Sequence, residues 1–299
     1  MTSPWTVRCK VTADGDTGAT AVAGIASMLL FDFGALAVGE PDTETEGFAS
    51  VDLIAGFDSE ELAQNAAVQV QGKLTSVRCE ALADESHNAW VDQQREGLQA
   101  TTIGRWHIRA PWHSPKSKSG STNHELVIDP GAAFGHGGHP STALALELMV
   151  AALDSDAERR YETIIDLGCG TGILSIVAAK NGRHVRASEH DAESVEVARS
   201  NIERNDVATA IELTHGDASE EHIEPSNLVV VNVTIDVHRA ISRNYRKAER
   251  IIVAGVLCGQ VGEVARLLPE HVPKVIKTTG EWAAMDFRRG TLRGPSSGR

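Results

Sequence analysis

A doubly wound α/β domain behind a smaller α+β domain is the architecture this sequence predicts, and three observations predict it. From Glu162 onward, short apolar runs alternate with helix-period segments, as in a parallel sheet wrapped by helices. Before that, residues 5–81 read β-α-β-β-α-β, the split βαβ order of a ferredoxin-like sandwich. At the head of the alternating part, the apolar run Thr163 to Leu167 meets glycines at 168, 170 and 172 and then an apolar helical repeat, which reads as strand, tight turn and helix.

The elements follow in order. Trp5 to Val11 reads as a strand and Thr17 to about Leu30 as a mostly apolar helix, with the apolar run ending at Asp32. Ala35 to Val38 and Ser50 to Phe57 are two further strands around an acidic loop from Pro41 to Gly47. Asp58 or Ser59 can cap a helix from Glu60 to about Gln71, whose first-turn acids suit the helix dipole. Ser76 to Ala81 closes the sandwich. His87 to Gly97 reads as an amphipathic connecting helix, Gly104 to Trp112 as extended chain, and His113 to Asn123 as an exposed loop. The expected division is a recognition domain over 1–84, a linker over 85–123, a second domain over 124–290 and a flexible tail over 291–299.

In the second domain, Ala143 to about Leu153 is a helix that Ser141 or Thr142 can cap. Strands are expected at 163–167, 184–188, 211–214, 227–232 and 250–256, helices at 172–181, 191–204, 235–247 and 260–268, and a final hairpin near 274–288. Ligands of such sheets bind at the carboxyl ends of the strands. Asp166, Glu189, Asp217 and Asn232 all fall there, so the pattern points to one site.

The residue types at that site narrow the ligand. In G-x-G-x-G with Asp166 two residues ahead, a carboxylate would repel a diphosphate and pair with an ammonium, which favours a cationic ligand such as S-adenosylmethionine. Glu189 ends the next strand, where a carboxylate can accept both hydroxyls of a ribose. The candidate cofactor set is Asp166, Gly168, Gly170, Gly172, Glu189, Asp217 and Asn232. A solvated Glu189 and a turn-forming Asn232 are the bland readings of two of these. His136 and His139 have no Cys or carboxylate nearby at ligand spacing, so they are expected to shape a pocket wall and no metal is expected.

Composition bounds the partners. Over 299 residues, 28 basic against 41 acidic side chains leave a formal charge of −13, which opposes direct nucleic-acid binding and suits a basic protein. Cys9, Cys79, Cys169 and Cys258 make no C-x-x-C pair, so neither a zinc site nor a disulfide framework is expected. The N-terminus lacks the apolar core of a signal peptide, and the run from Ala21 to Phe31 is too short for a membrane span. A cytoplasmic, reducing compartment is the expectation.

With these residues placed, the chain resembles the PrmA-type methyltransferases of ribosomal protein L-eleven, over nearly its whole length from Pro4 and Trp5 to about Arg288. The landmarks are Trp106, Ile108, Pro111 and Trp112; Asp129, Pro130, Gly131, Ala133, Phe134 and Gly135; His139 and Pro140; the Asp166 to Gly170 turn; Asn232; Gly255 to Leu257 with Gln260; and Glu281 with Trp282. The resemblance implies a Rossmann-like class I methyltransferase domain preceded by a ferredoxin-like docking domain, with S-adenosyl-L-methionine as methyl donor. It further implies cofactor contacts from Thr142, Gly168, Glu189 and Asn232, and a cover over cofactor and acceptor channel from Phe134 and the 135–140 loop. Two stretches depart from the family pattern: His136 and Gly138 replace hydroxyl residues in that loop, and Val233-Thr234-Ile235 follows Asn232 in place of I-L-A.

The leading expectation is N-methylation of lysine and/or N-terminal amines of a large-subunit ribosomal protein, with Asn232 orienting the amine. Two alternatives stay open. One is a methyltransferase of the same fold with another protein or small-molecule acceptor, and the other is a cofactor-binding protein without catalysis.

Overall fold

A computed structural model describes residues 5–14, 17–39, 50–83, 98–115, 124–156 and 161–290. The expected helix over 87–97, the loop over 41–47, most of the loop over 113–123 and the tail over 291–299 lie outside the described residues.

The first unit contains β1 (Trp5–Thr12), α1 (Ala19–Asp32), β2 (Ala37–Gly39), β3 (Ser50–Phe57), α2 (Glu60–Lys73) and β4 (Val77–Ala83). The strands form an antiparallel sheet in the order β2-β3-β1-β4, the split βαβ sandwich. Ser59 caps α2, accepting from the Leu62 backbone at 3.2 Å, with Glu60 and Glu61 in the first turn. Val7, Cys9, Val11, Leu53, Ala55 and Phe57 alternate inward and pack on Ala and Val side chains of both helices.

One expectation fails here. Cys9 and Cys79 form a disulfide, because antiparallel pairing of β1 with β4 sets them directly opposite one another, Cα to Cα 4.1 Å. Their 70-residue separation conceals that juxtaposition.

β5 (Thr101–Ile103), β6 (Trp106–Arg109) and β7 (His124–Val127) make a small mixed sheet leading into α3 (Pro140–Asp154). Neither Ser141 nor Thr142 caps α3. The helix starts at Pro140, whose ring suits the first turn, and His139 is the cap, its side chain accepting from the Ser141 backbone.

The large sheet follows: β8 (Thr163–Leu167), α4 (Ile173–Lys180), β9 (His184–Glu189), α5 (Ala192–Arg204), β10 (Ile211–His215), β11 (Leu228–Asn232), α6 (Ile235–Tyr245), β12 (Arg250–Leu257), α7 (Val261–Leu267) and the hairpin of β13 (His271–Thr279) and β14 (Trp282–Arg289). Its order is β10-β9-β8-β11-β12-β14-β13, parallel from β10 to β12 and antiparallel through the hairpin. Strand order reverses between β8 and β11, so a crevice opens where their carboxyl ends part. The two faces of this sheet carry separate apolar cores, one with α3, α4 and α5 and one with α6 and α7.

Helix α1 belongs to two cores. Val22, Ala26, Leu29 and Leu30 pack in the sandwich, while Ala21 and Met28 pack in the core of the large sheet. A helix apolar on every side needs cover on every side. Among the described residues, no helix is long and apolar enough to cross a membrane.

Candidate functional site

The glycine turn after β8 is built by backbone. Gly168, Gly170 and Gly172 all have positive φ, at 72°, 52° and 78°. A Cβ on Gly170 would lie 2.3 Å from the Phe134 carbonyl oxygen, so only glycine fits. The turn is tied on one side to β9 through Gly168 N–H to Ser188 O at 2.9 Å, and on the other to the 134–135 loop. There Thr171 donates its N–H to Phe134 O at 3.0 Å and its hydroxyl to Gly135 O at 2.7 Å. The loop is thus pinned over the turn.

In front of the turn lies a cavity of about 420 Å³ at the carboxyl ends of β8, β9 and β11. Thr142, Phe134, Gly168, Gly170, Glu189, Asp217 and Asn232 line it, which brings together seven of the residues singled out from sequence. Asp166 and Gly172 do not face it. Asp166 is 1% exposed, and its Oδ2 accepts from Ser175 Oγ at 2.6 Å, a hydroxyl presented by α4 just behind the turn. Burial raises its pKa to about 6, partly opposed by Ser175 and assisted by Glu189. The carboxylate expected at the ligand's ammonium ties the turn to α4 through Oδ2, and its Oδ1 is buried with no hydrogen-bond partner among the described residues.

Glu189 is a fixed acceptor. Gly170 N–H bonds its Oε2 at 3.0 Å, while the backbone N–H groups of His190 and Asp191 bond Oε1 at 2.8 and 3.2 Å. Burial would raise its pKa, but bonds from the His190 ring and these amides outweigh that and hold it below the ordinary glutamate value. The His190 ring lies 3.0 Å from Oε1, and that bond lifts its pKa to about 9 despite partial burial, so it is an imidazolium at neutral pH. Asp217 is held by the Ser219 amide at 2.7 Å, which lowers its pKa.

Asn232, the last residue of β11, points its amide nitrogen to Thr142 Oγ at 3.4 Å, and its Oδ1 is buried with no hydrogen-bond partner among the described residues. Thr234 Oγ is in the same condition and faces the same cavity. Buried acceptors without partners are costly in a finished protein and belong where a ligand supplies the donor.

The two loop histidines are wall residues. His139 lies between Phe134 and Trp282, ring centroids 4.9 and 4.6 Å away, and burial with His136 beside it lowers its pKa to about 4. His136 is likewise lowered by burial, and its Nδ1 accepts from the Gly138 amide at 3.3 Å. Both line a second cavity of about 280 Å³ that shares Phe134 and Gly135 with the first. Sequence reading missed one contribution: Met28, Phe31 and Asp32 at the end of α1 also line the larger cavity. The available signal was the lone carboxylate that ends an apolar helical run.

The cavity fits S-adenosyl-L-methionine in size and in donor set: glycine backbone without side chains to obstruct it, a fixed carboxylate for hydroxyls and an unpartnered amide oxygen. The order of the seven strands, with the last strand inserted antiparallel between its two predecessors, is the class I methyltransferase arrangement, and the chain falls in that class.

A family model described as ribosomal protein L11 methyltransferase (PrmA) matches residues 16–290. Proteins named ribosomal protein L11 methyltransferase are similar to it. The one from Cupriavidus necator is 29% identical over 288 residues, covering 87% of this chain and 92% of that protein. The one from Alkaliphilus metalliredigens is 32% identical over 206 residues, covering 66% of this chain and 62% of that protein, under two thirds of its length. The crystal structure of a ribosomal protein L11 methylase from Lactobacillus delbrueckii subsp. bulgaricus has the same fold, with a TM-score of 0.56 at 20% identity, covering 65% of this chain and 100% of that one. The chain belongs to the ribosomal protein L11 methyltransferase (PrmA) family. It is a methyltransferase whose methyl donor is S-adenosyl-L-methionine.

Proposed function

We propose that the protein transfers methyl groups to lysine and/or N-terminal amines of ribosomal protein L11, in the cytoplasm, with the sandwich presenting the substrate and the large sheet performing the transfer. The observation that carries this reading is the extent of the family match, which takes in most of the sandwich as well as the sheet. The acidic chain, with its net charge of −13, suits a basic protein substrate and disfavours direct contact with nucleic acid.

The bound cofactor supplies a methyl group on a sulfonium, a leaving group that already carries the charge. The chain's own residues position the reactants and exclude water. Glu189, fixed by three backbone amides, accepts hydroxyl donors, and the glycine turn lets backbone lie against the ligand. Asp217 and Thr142 complete the cofactor wall, and Phe134 with the 135–140 loop covers it.

An ammonium has no lone pair, so the acceptor amine must first lose a proton. The apolar walls of Phe31, Phe134 and Val233 favour the neutral amine by desolvation. Asn232 Oδ1 then accepts an N–H of that amine and aims its lone pair, while the bond to Thr142 fixes the side chain. The second cavity, on the other side of Phe134 with two neutral imidazoles in its wall, is the path of the acceptor side chain.

The test is incubation with tritiated S-adenosyl-L-methionine and ribosomal proteins from a strain lacking this enzyme, resolved by mass. Label on L11 alone is the expected result. Label on another protein would favour a changed acceptor pocket, which the unpartnered hydroxyl of Thr234 at the cavity wall also favours. No label despite cofactor binding would overturn catalysis.

A further inference from the structure

Helix α1 is built into the large sheet at three points along its length. At its start no side chain of the sandwich caps it, and the Gly18 amide bonds both carboxylate oxygens of Glu281, from the β13–β14 turn, at 2.9 and 3.0 Å. At its middle, a Cβ on Gly24 would lie 2.6 Å from the Trp282 ring and 3.1 Å from His139 Nε2, so the helix backbone lies directly on those rings. At its end, Phe31 packs edge-on against Phe134, centroids 6.2 Å apart. The outcome is that Met28, Phe31 and Asp32 form a wall of the larger cavity opposite the glycine turn.

Asp32 is the unusual member of that wall. Its side chain is exposed at the cavity, and no described residue hydrogen-bonds it. Glu189, His190 and Asp191 from the end of β9, and Lys73 from α2, are the charged groups whose fields it feels. A carboxylate so placed beside Glu189 accepts hydroxyl or amine N–H donors and repels phosphate.

We propose that Asp32 is a cofactor-contacting residue lent by the N-terminal sandwich, taking a hydroxyl or exocyclic-amine donor of the adenosyl part, so that cofactor binding and docking of α1 on the large sheet are one linked equilibrium. This rests on the reading that the cavity holds S-adenosyl-L-methionine. Linkage is reciprocal: what loosens α1 weakens the ligand, and the ligand tightens α1.

The experiment measures S-adenosylhomocysteine binding to the full chain by calorimetry. Asp32→Ala should weaken it roughly 3- to 10-fold, the size of one hydrogen bond. Gly24→Val should weaken it too, although residue 24 is not in the cavity wall, by lifting α1 off Trp282. The double variant should bind no worse than Gly24→Val alone, since Asp32 is delivered only when α1 is docked. If Gly24→Val does not fold, Glu281→Ala loosens the same helix from its start. In the unsubstituted protein, saturating S-adenosylhomocysteine should slow amide hydrogen exchange in the last turns of α1.

Unchanged affinity in Asp32→Ala, or α1 exchange indifferent to the ligand, would overturn the proposal while leaving the cofactor assignment intact. Failure of the unsubstituted protein to bind S-adenosylhomocysteine would overturn both.

Discussion

The large sheet and the sandwich reach the same cavity by opposite means. The sheet's contributions are fixed locally: Glu189 by three amides within its own strand end and the adjoining turn, and the glycine turn by bonds to β9 and the 134–135 loop. The sandwich contributes side chains of one helix, and their position depends on contacts of α1 with Glu281, Trp282 and Phe134. A site residue fixed by its own strand is present whenever the sheet is folded. One delivered by docking is present only when two units meet.

The largest effect should come from breaking the sheet side of this comparison. Gly255, in the irregular part of β12, has φ of 81°, and a Cβ there would lie 2.3 Å from the Val233 carbonyl oxygen. Gly255→Ala should cost roughly 3 kcal/mol or more, combining backbone strain with overpacking, and chemical denaturation should show it. Glu189→Ala comes next, weakening S-adenosylhomocysteine binding by ~1.5–3 kcal/mol. An effect under twofold would mean the anchored carboxylate is structural only. Asn232→Ala should lower turnover more than cofactor affinity, and equal losses in both would make it a cofactor ligand alone.

The smaller effects test the docked helix. Glu281→Ala removes the cap of α1 and should cost about 1 kcal/mol, seen as a lower Tm with the glycine turn untouched. The smallest effect is a pH dependence at Asp32. Desolvation between the two units first, then Glu189 and Asp191 against His190 and Lys73, raises its pKa from 3.8 to about 7, but the side chain is open to solvent at the cavity, which screens these charges and keeps its share of the stability small. A carboxyl whose folded pKa is raised stabilises fully below the unfolded value, and that stability fades as pH rises through about 7. Asp32→Asn should therefore raise the Tm of the ligand-free protein at pH 8 and leave it nearly unchanged at pH 4.

What the sequence made legible divides along the same line. The order of the strands, the glycine turn and the position of Glu189 were readable because each is a local pattern: an apolar run, a breaker, a polar residue at the strand end. Three features were hidden because they depend on approach in space. Cys9 and Cys79 meet only through antiparallel register. His139 caps α3 although serine and threonine are the usual caps, because Pro140 sets where the helix begins. Asp166 is engaged through one oxygen by Ser175 on the following helix and does not line the cavity. The shared helix was hidden for a further reason: an apolar α1 is accounted for by its own sandwich, and nothing in its composition marks Ala21 and Met28 for another core.

The bond from Gly18 to Glu281 spans 263 residues, and it bears on the order in which the protein is made. Translation proceeds from the N-terminus, and domains fold as they emerge. The sandwich can therefore form while the residue that caps its first helix is still unsynthesised. Until Glu281 is added, the start of α1 keeps an uncapped end. A helix made early is thus finished late, and a chain that stops short of residue 281 carries its open amide as a mark of its incompleteness.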